Sequence, residues 1–226
     1  MSSPIAATKK TPLDRALIEF HHRASHNHRL EILANYVSDA LQSLPGKVTH
    51  CLDIGCGDMA LAELLASKVA GSLWQCIDIH ALPEEFTQDP RWQKYQQFDG
   101  AHVPFADGAF ACAMLCDVLH HASESGQRDL LMEAKRVADY VIIKDHFEYG
   151  PWSRQMLRLM DFVGNYGYGI SIPNHYFSQA SFDRLVRDAG LQIHSIRVGI
   201  LLYRHLPLAT YLLRSNWQFI AVLKRR

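Results

Sequence analysis

Two features are missing from this sequence: a charge excess of either sign and a long apolar run. The 226 residues include 23 Lys and Arg against 23 Asp and Glu, so the formal net charge is zero. Because nucleic-acid binding needs a clustered basic surface, we expect no nucleic-acid partner. No run approaches the roughly 18 apolar residues of a membrane span, and residues 1–12 lack the apolar core of a signal peptide. We therefore expect a cytoplasmic protein without an integral membrane segment.

Cysteine is scarce, and its spacing lacks the CxxC pairs of zinc sites. The five thiols all lie in or beside apolar runs, at Cys51, Cys56, Cys76, Cys112 and Cys116. Buried, reduced thiols explain this placement better than disulfide bonds do, and we predict no metal site. The composition, 48% hydrophobic and 20% charged, is that of an ordinary globular protein. We therefore expect residues 1–226 to form a single domain.

Short apolar runs alternate with amphipathic helical patterns along most of the chain. The runs predict seven strands, at residues 51–54, 72–79, 93–98, 109–115, 140–143, 191–198 and 217–223. The run at 109–115 has no polar alternation, as expected for a strand that is buried on both faces. Strands that alternate with helices indicate an α/β fold, with a doubly wound, mainly parallel sheet and helices on both faces.

Three segments lie outside this alternation. Residues 1–46 predict N-terminal helices that can lie over a ligand site. Residues 147–177 and 199–215 are insertions that we expect to cover the substrate site. The first insertion carries an apolar, aromatic set that suits substrate binding, formed by Trp152, Met156, Tyr166, Tyr168, His175 and Tyr176. The second insertion is unusually apolar. It is equally compatible with the contact surface of a homodimer, so that a monomer and a homodimer are both open, and with peripheral membrane contact through a lipid-like substrate.

The stretch from Cys51 to Asp58 predicts a buried strand, a glycine turn and the start of a helix. Gly55 and Gly57 allow a backbone conformation and a close ligand approach that a Cβ atom would prevent. Asp58 is a natural N-cap, which places Met59 in the first helical turn. A helix N-terminus after such a turn directs backbone N–H groups toward a bound ligand. The turn also fits G-x-G-x-x-A, a form of the dinucleotide-binding fingerprint.

Two acidic residues follow the predicted second and third strands. Asp78 lies about 20 residues beyond the turn, where one carboxylate can accept both hydroxyl protons of a ribose, and Ile79 lies beside it. Asp99 can accept a hydrogen bond from an adenine amino group, with the backbone of Gly100 near the ring. Asp-Gly is also a strong turn signal, so Asp99 is equally plausible as an ordinary turn residue.

Four motifs in this order resemble those of class I S-adenosylmethionine-dependent methyltransferases of the small-molecule, methyltransferase-11/12-like type. They are residues 52–58, with Asp53 two positions before the first glycine, then Asp78, Asp99, and residues 117–121. The resemblance extends over residues 30–223 and implies a Rossmann-like, seven-stranded sheet whose last hairpin is reversed. It also implies a transferase that uses S-adenosyl-L-methionine.

The resemblance implies cofactor contacts at individual positions. Gly55 and Gly57 would flank the methionine moiety, and Arg23 or Arg29 would pair with the carboxylate of the cofactor. Many members have a further glycine at the position of Met59, so this residue would narrow the methionine end of the pocket. Cys116, at the end of the fourth strand, would line the pocket through its backbone. The complete predicted cofactor-binding set is Asp53, Gly55, Gly57, Asp78, Ile79, Asp99, Gly100 and Cys116.

Transfer of a methyl group to oxygen requires that the acceptor lose a proton, and histidine is the usual base near neutral pH. His120 follows the fourth strand in a Val-Leu-His context similar to that of phenol O-methyltransferases, so it is the first candidate. His146, which follows the fifth strand beside Asp145, is the second. His121 and His175 remain alternatives.

The sequence therefore predicts a methyltransferase that acts on a small apolar or aromatic acceptor, with O-methylation preferred over N- or C-methylation. An NAD(P)-dependent oxidoreductase with a Rossmann domain remains an alternative, because the glycine turn and the ribose carboxylate suit both cofactors. A non-catalytic S-adenosylmethionine-binding protein is a further alternative, which would bind the cofactor without transferring its methyl group.

Overall fold

The computed structural model of the protein describes residues 27–82, 88–164, 172–202 and 213–226. Five α-helices lie in these ranges: α1 Asn27–Gln42, α2 Ala60–Lys68, α3 Glu124–Val137, α4 Pro151–Gly164 and α5 Gln179–Asp188. Seven strands accompany them: β1 His50–Ile54, β2 Leu73–Asp78, β3 Tyr95–Gln97, β4 Phe110–Cys116, β5 Ala138–His146, β6 Leu191–Val198 and β7 Gln218–Arg225. Short 3-10 helices span Pro90–Lys94, Leu119–His121 and Ser215–Trp217.

The strands form one sheet with the order β3-β2-β1-β4-β5-β7-β6. The first five strands are parallel to one another, whereas β7 runs antiparallel to both β5 and β6. This arrangement confirms the predicted α/β fold with a mainly parallel, seven-stranded sheet and a reversed last hairpin. The strand order changes direction between β1 and β4, and ligands of such sheets bind at the carboxyl ends of the strands at that point.

The sheet is buried on both faces, as the apolar runs predicted. Leu52 and Ile54 of β1 pack into the cluster that includes residues of α3 and α5. Cys51, which points to the opposite face, packs into the cluster that includes residues of α1 and α2. Because successive strand residues alternate between faces, Asp53 lies on the same face as Cys51 and α1.

The N-termini of α5 and α2 differ in how they are capped. Ser178 caps α5 in a capping box with Ser181, an arrangement typical of a serine ahead of an amphipathic run. The prediction that Asp58 caps α2 is wrong. The helix begins at Ala60, and the preceding residue has a left-handed backbone conformation; Asp58 lies before it and accepts a hydrogen bond from the Ala60 N–H at 3.1 Å.

Strand β5 is longer than the apolar run from 140 to 143 predicted, because it pairs with β4 on one side and with β7 on the other. This pairing carries the strand through Lys144, Asp145 and His146, all of which are buried. The five cysteines are free thiols, and four of them are buried. In the part of the chain that the structure describes, no helix is long and apolar enough to span a membrane.

Candidate active site

An open cleft lies at the carboxyl ends of β1 and β4, with the first turns of α1 beside it. It contains about 590 Å³ of space, part of it open to solvent. Its lining residues come from α1, the glycine turn, α2 and the end of β4: Arg29, Leu30, Leu33, Asp53, Gly55, Cys56, Asp58, Leu61, Cys116 and Asp117. The cleft thus includes Asp53, Gly55 and Cys116 from the predicted cofactor set.

The glycine turn is held against β2 by its own amide groups. The N–H groups of Gly55 and Cys56 donate to the carbonyl oxygen of Ile77 at 2.8 and 3.2 Å, and the Gly57 N–H donates to Asp78 Oδ2 at 2.9 Å. The expectation that these amides point at a ligand is therefore wrong, because strand β2 already uses them. Gly55 has φ 77°, and a Cβ there would lie 2.5 Å from Val118 Cγ2, so the turn requires glycine for its close packing.

Met59 does not occupy the first turn of α2, where the sequence placed it. It directly precedes the helix with φ 62°, a left-handed conformation that costs a side-chain-bearing residue free energy and costs glycine little. The Met59 side chain is fully buried in the cluster beside α1 and α2, and Met59 does not line the cleft. The predicted narrowing of the pocket by this side chain is therefore wrong.

Asp53 is a buried carboxyl at the floor of the cleft, 2% exposed. Burial raises its pKa to about 8, and the nearby carboxylates of Asp78 and Asp58 act in the same direction. An acid with this pKa holds a proton at neutral pH until a positive charge arrives beside it.

Asp117 joins the cleft to a buried charged cluster. Its Oδ2 accepts from Arg29 at 2.8 Å and its Oδ1 accepts from the fully buried Lys144 Nζ at 2.5 Å. Burial opposes ionisation, but the charges of Lys144, His146 and Arg29 hold the pKa of Asp117 well below its usual range. Its φ of 56° places it in the left-handed region, which Asp tolerates better than most residues. Arg23, the other predicted arginine, lies outside the described residues.

Asp78 ends β2, as predicted, and its carboxylate is 9% exposed. In addition to the Gly57 N–H, it accepts from the backbone N–H of His80 at 3.1 Å and contacts the His80 ring nitrogen at 2.7 Å. The His80 side chain is 55% exposed. The carboxylate therefore lies beneath an exposed imidazole at the end of β2.

The predicted adenine-binding residues lie together at the ends of β2 and β3. Asp99 is exposed, and its Oδ1 accepts from the N–H groups of Ala101 and His102 at 2.8 and 2.7 Å, which lowers its pKa. This is the turn role that the Asp-Gly signal left open. Ile79 is exposed, and a Cβ on Gly100 would lie 3.1 Å from its Cγ2, so these two residues form an apolar step beside the Asp99 turn.

His120 is buried between two carboxylates, its side chain 1% exposed. Nδ1 lies 2.7 Å from Asp145 Oδ1, whereas Nε2 lies 3.5 Å from Asp161 Oδ2 and has no hydrogen-bond partner in the described part of the chain. Burial favours the neutral ring, but the negative charge and hydrogen bond of Asp145 outweigh it and raise the pKa of His120 to about 8. Burial opposes the ionisation of Asp145, but the charge and hydrogen bond of His120 outweigh it and hold the pKa of Asp145 well below its usual range.

His146 lies close to His120, with 5.2 Å between the ring centroids. Its Nδ1 is 3.4 Å from Asp117 Oδ1. Burial, followed by the charge of Lys144, lowers the pKa of His146, so its environment favours the neutral ring. The ring of His121 lies 4.1 Å from that of His120. The structure therefore brings the two predicted catalytic histidines together, with His121 beside them.

The predicted substrate residues are less closely grouped. The Tyr176 ring lies 5.4 Å from that of His120, and Met156 packs against the small buried cluster that contains Tyr176. Trp152 is 62% exposed and the His175 side chain is 70% exposed. Tyr166 and Tyr168 lie outside the described residues.

Asp161 on α4 is a site residue that the sequence argument missed. Its Oδ2 accepts from the Tyr176 hydroxyl at 2.5 Å and lies on the Nε2 side of His120. A signal was present, because Ser153, Leu157 and Asp161 recur every four residues and form the buried face of the helix. An acid on that face needs a buried partner.

Comparisons with known proteins identify the fold and the domain. A family model described as a methyltransferase domain matches residues 52–139, which run from β1 to the start of β5 and include the glycine turn, Asp78, Asp99 and His120. A search of curated proteins found no match.

Several solved structures share the fold at low sequence identity. A S-adenosylmethionine-dependent methyltransferase from Methanosarcina mazei has a TM-score of 0.60 and 19% identity, over 82% of this chain and 96% of that chain. The Burkholderia thailandensis 1,6-didemethyltoxoflavin-N1-methyltransferase, solved with S-adenosylhomocysteine, has a TM-score of 0.60 and 14% identity, over 100% of this chain and 93% of that one. The mitomycin 7-O-methyltransferase has a TM-score of 0.62 and 14% identity, over 96% of this chain and 59% of that one.

The family model covers β1, the glycine turn and β4, which build the cleft. Residues 52–139 are therefore similar to a methyltransferase domain, within a chain that shares the fold of S-adenosylmethionine-dependent methyltransferases.

Proposed function

We propose that the enzyme methylates a hydroxyl oxygen of a small apolar or aromatic acceptor in the cytoplasm. The observation that supports this proposal best is the buried pair of His120 and Asp145, whose Nδ1 to Oδ1 distance is 2.7 Å. Hydroxyl groups are weak nucleophiles until their proton is removed, and an imidazole held by a carboxylate is the usual device for removing it. A neutral amine attacks through its lone pair and has less need of such a base.

The cleft fits the amino-acid end of the cofactor, which carries an ammonium, a carboxylate and the adjacent sulfonium. Asp53 loses its proton readily beside a positive charge, because its pKa is raised by burial and by neighbouring carboxylates. Arg29 lines the same cleft and is the cation for the cofactor carboxylate, with Gly55, Gly57 and the Cys116 backbone around the methionine moiety. Cofactor binding in this cleft thus places positive charge against the acidic floor.

The nucleoside end of the cofactor belongs at the ends of β2 and β3. Asp78 would accept from the ribose hydroxyls once the exposed His80 ring moves away from its carboxylate. The apolar step of Ile79 and Gly100 would face the adenine ring, and Asp99 would accept from its amino group through Oδ2, since Oδ1 is engaged in the turn.

The bound cofactor supplies a methyl group that is already activated for transfer. The chain itself must orient the acceptor in line with that methyl group, exclude water and accept one proton. The O–H proton of the acceptor would pass to His120 Nε2 as the new O–C bond forms and the S–C bond breaks. Asp145 then stabilises the resulting imidazolium through Nδ1, and His146 lies alongside as a second imidazole.

The acceptor would bind beside α4, under the segments 147–177 and 199–215. In the proposed substrate-binding set, the Tyr176 ring lies beside that of His120, and Met156 packs against the cluster that contains Tyr176. Trp152, His175, Tyr166 and Tyr168 complete the proposed substrate-binding set. The mitomycin enzyme is named for transfer to oxygen and the toxoflavin enzyme for transfer to nitrogen, so the fold alone does not select the acceptor atom.

The direct test is to incubate the protein with methyl-labelled S-adenosylmethionine and a metabolite extract, followed by mass identification of the product. A labelled methyl ether or ester of a small apolar or aromatic molecule is the expected product. A label found on nitrogen or carbon would contradict O-methylation. Absence of any product despite measured binding of S-adenosylhomocysteine would remove the support for a small-molecule acceptor.

A further inference from the structure

His120 has a carboxylate on each side of its ring, and the two contacts differ. Asp145 is within hydrogen-bond distance of Nδ1 at 2.7 Å. Asp161 is 3.5 Å from Nε2, which is within reach for a charge interaction but too long for a good hydrogen bond. The Asp161 contact can therefore be removed without breaking the bond that orients the imidazole.

Asp161 is fixed in place by residues outside the cofactor cleft. Its Oδ2 accepts from the Tyr176 hydroxyl at 2.5 Å, and the carboxylate side chain is only 11% exposed. Helix α4 carries it on a buried face, together with Leu157 of the Tyr176 cluster. A carboxylate held so rigidly beside an imidazole stabilises the charged ring whenever no other group lies between them.

We propose that Asp161, held by Tyr176, is a positioning residue that acts through His120. With no acceptor bound it keeps the imidazole protonated, and it thereby sets the pH at which Nε2 can accept the acceptor proton. The Nε2 proton of the resting enzyme leaves to water before the reaction. The acceptor proton then replaces it during methyl transfer, so one proton is released to solvent for each methyl group transferred. This inference rests on the proposed role of His120 as a base.

Other groups also face the ring, and within the described ranges of the chain none of them duplicates Asp161. Asp145 on β5 is the strongest neighbour and Asp117 beyond β4 is more distant, and both favour the charged ring. Lys144 is engaged by Asp117. The remaining neighbours are the rings of His121, His146 and Tyr176. Asp161 is the carboxylate that approaches from α4, on the side where an acceptor must arrive.

The test is to follow the titration of the His120 imidazole by NMR in the full chain, with His120→Gln to assign its signal. We expect the wild-type ring to titrate near pH 8, in keeping with its raised pKa. Asp161→Asn should lower the midpoint by about one pH unit, the size of effect that one opposite charge at this distance produces. Asp161→Glu keeps the charge and should restore the midpoint, and the exposed Asp183→Asn on α5 is the matched control that should not move it.

Tyr176→Phe provides a second test if Asp161→Asn does not fold. Loss of the phenol O–H donor concentrates the negative charge of Asp161 toward His120, so the midpoint should rise rather than fall. An unchanged midpoint in Asp161→Asn, or in Tyr176→Phe where Asp161→Asn does not fold, would overturn the proposal. A wild-type midpoint that moves on addition of Zn²⁺ or of a chelator would also overturn it, because 3.5 Å is a spacing that two ligands of one metal ion can adopt.

The NMR result is independent of the proposed function. If methyl transfer to a hydroxyl occurs, its pH–rate profile should shift in Asp161→Asn by the same amount as the His120 midpoint. A shifted midpoint with an unshifted rate profile would show that Asp161 sets the charge of His120 but that His120 is not the base. A shifted rate profile with an unshifted midpoint would overturn the role of Asp161.

Discussion

Asp53 shows how one buried carboxyl can couple cofactor binding to proton release. Its pKa of about 8 leaves it mostly protonated at pH 7, and a positive ligand should lower that pKa and expel the proton. Calorimetry of S-adenosylmethionine binding at pH 7, in buffers of different ionisation enthalpy, should therefore report close to one proton released. Asp53→Asn should abolish this buffer dependence, and a wild-type enthalpy that is identical in all buffers would refute the explanation.

Asp78 and His80 allow a paired test of the ribose site. Asp78→Asn should weaken cofactor binding by about 1.5–3 kcal/mol, the usual cost of losing hydrogen bonds to a charged group. His80→Ala removes the imidazole that lies 2.7 Å from the carboxylate and should leave affinity unchanged or increase it. The measurement is titration with S-adenosylhomocysteine by calorimetry. Equal weakening in both variants would mean that Asp78 contributes through His80 and not through the ribose.

At the scale of elements, the glycine turn and α2 were only partly predictable. The strand, the turn and the helix could be read from apolar spacing and from Gly55 and Gly57. The start of the helix could not be predicted, because Met59 adopts a left-handed φ of 62° while its side chain is fully buried. The amide groups of the turn also bond to β2 across about 20 residues of sequence, and local patterns contain no information on such long-range pairing.

Met59→Gly tests the balance of these two effects. Glycine would relieve a left-handed penalty of about 1–2 kcal/mol, but removal of a fully buried methionine side chain costs about 2–5 kcal/mol. We therefore expect net destabilisation in urea unfolding. Affinity for S-adenosylhomocysteine should stay within a factor of about two, because Met59 does not line the cleft. Strongly altered affinity in a folded variant would place the side chain in the pocket after all.

Gly55→Ala should destabilise the turn by about 1–3 kcal/mol, as overpacking does, because the new Cβ would lie 2.5 Å from Val118 Cγ2. The double variant Gly55→Ala with Val118→Ala removes that clash and should recover part of the loss. The part that remains reports the cost of φ 77°. Urea unfolding of the two single variants and the double variant measures both terms, and a double variant with simply additive losses would exclude the clash.

Strand β5 and helix α4 show the same limit of prediction at the active site. His120 and His146 could be identified from the sequence because each follows a predicted strand. The extension of β5 depends on pairing with two other strands. The contact of Asp161 with His120 spans 41 residues and two elements, so only a buried acid on the apolar face of α4 signalled it.

For the whole molecule, the sheet order explains why residues from distant parts of the chain share one cleft. The parallel strands β1, β2, β4 and β5 end at the same edge, which brings Asp53, Asp78, Asp117 and His146 to one side of the molecule. Alternation of strands and helices was sufficient to predict this architecture. It was also sufficient to place the proposed cofactor residues at strand ends, but not to predict the charged cluster behind them.

The central claim is that His120 removes the proton of an acceptor hydroxyl, and the most direct test is the pH–rate profile of labelled-methyl transfer to an identified acceptor. Because His120 has a raised pKa of about 8 and acts as a base only when neutral, the wild-type rate should increase with pH and level off above about pH 8. His120→Ala should lower turnover by about 10²–10⁴-fold, with unchanged affinity for S-adenosylhomocysteine, whereas His194→Ala on β6 should retain wild-type turnover. A His120→Ala variant that keeps wild-type turnover, or a wild-type rate that does not change between pH 6 and 9, would contradict the claim.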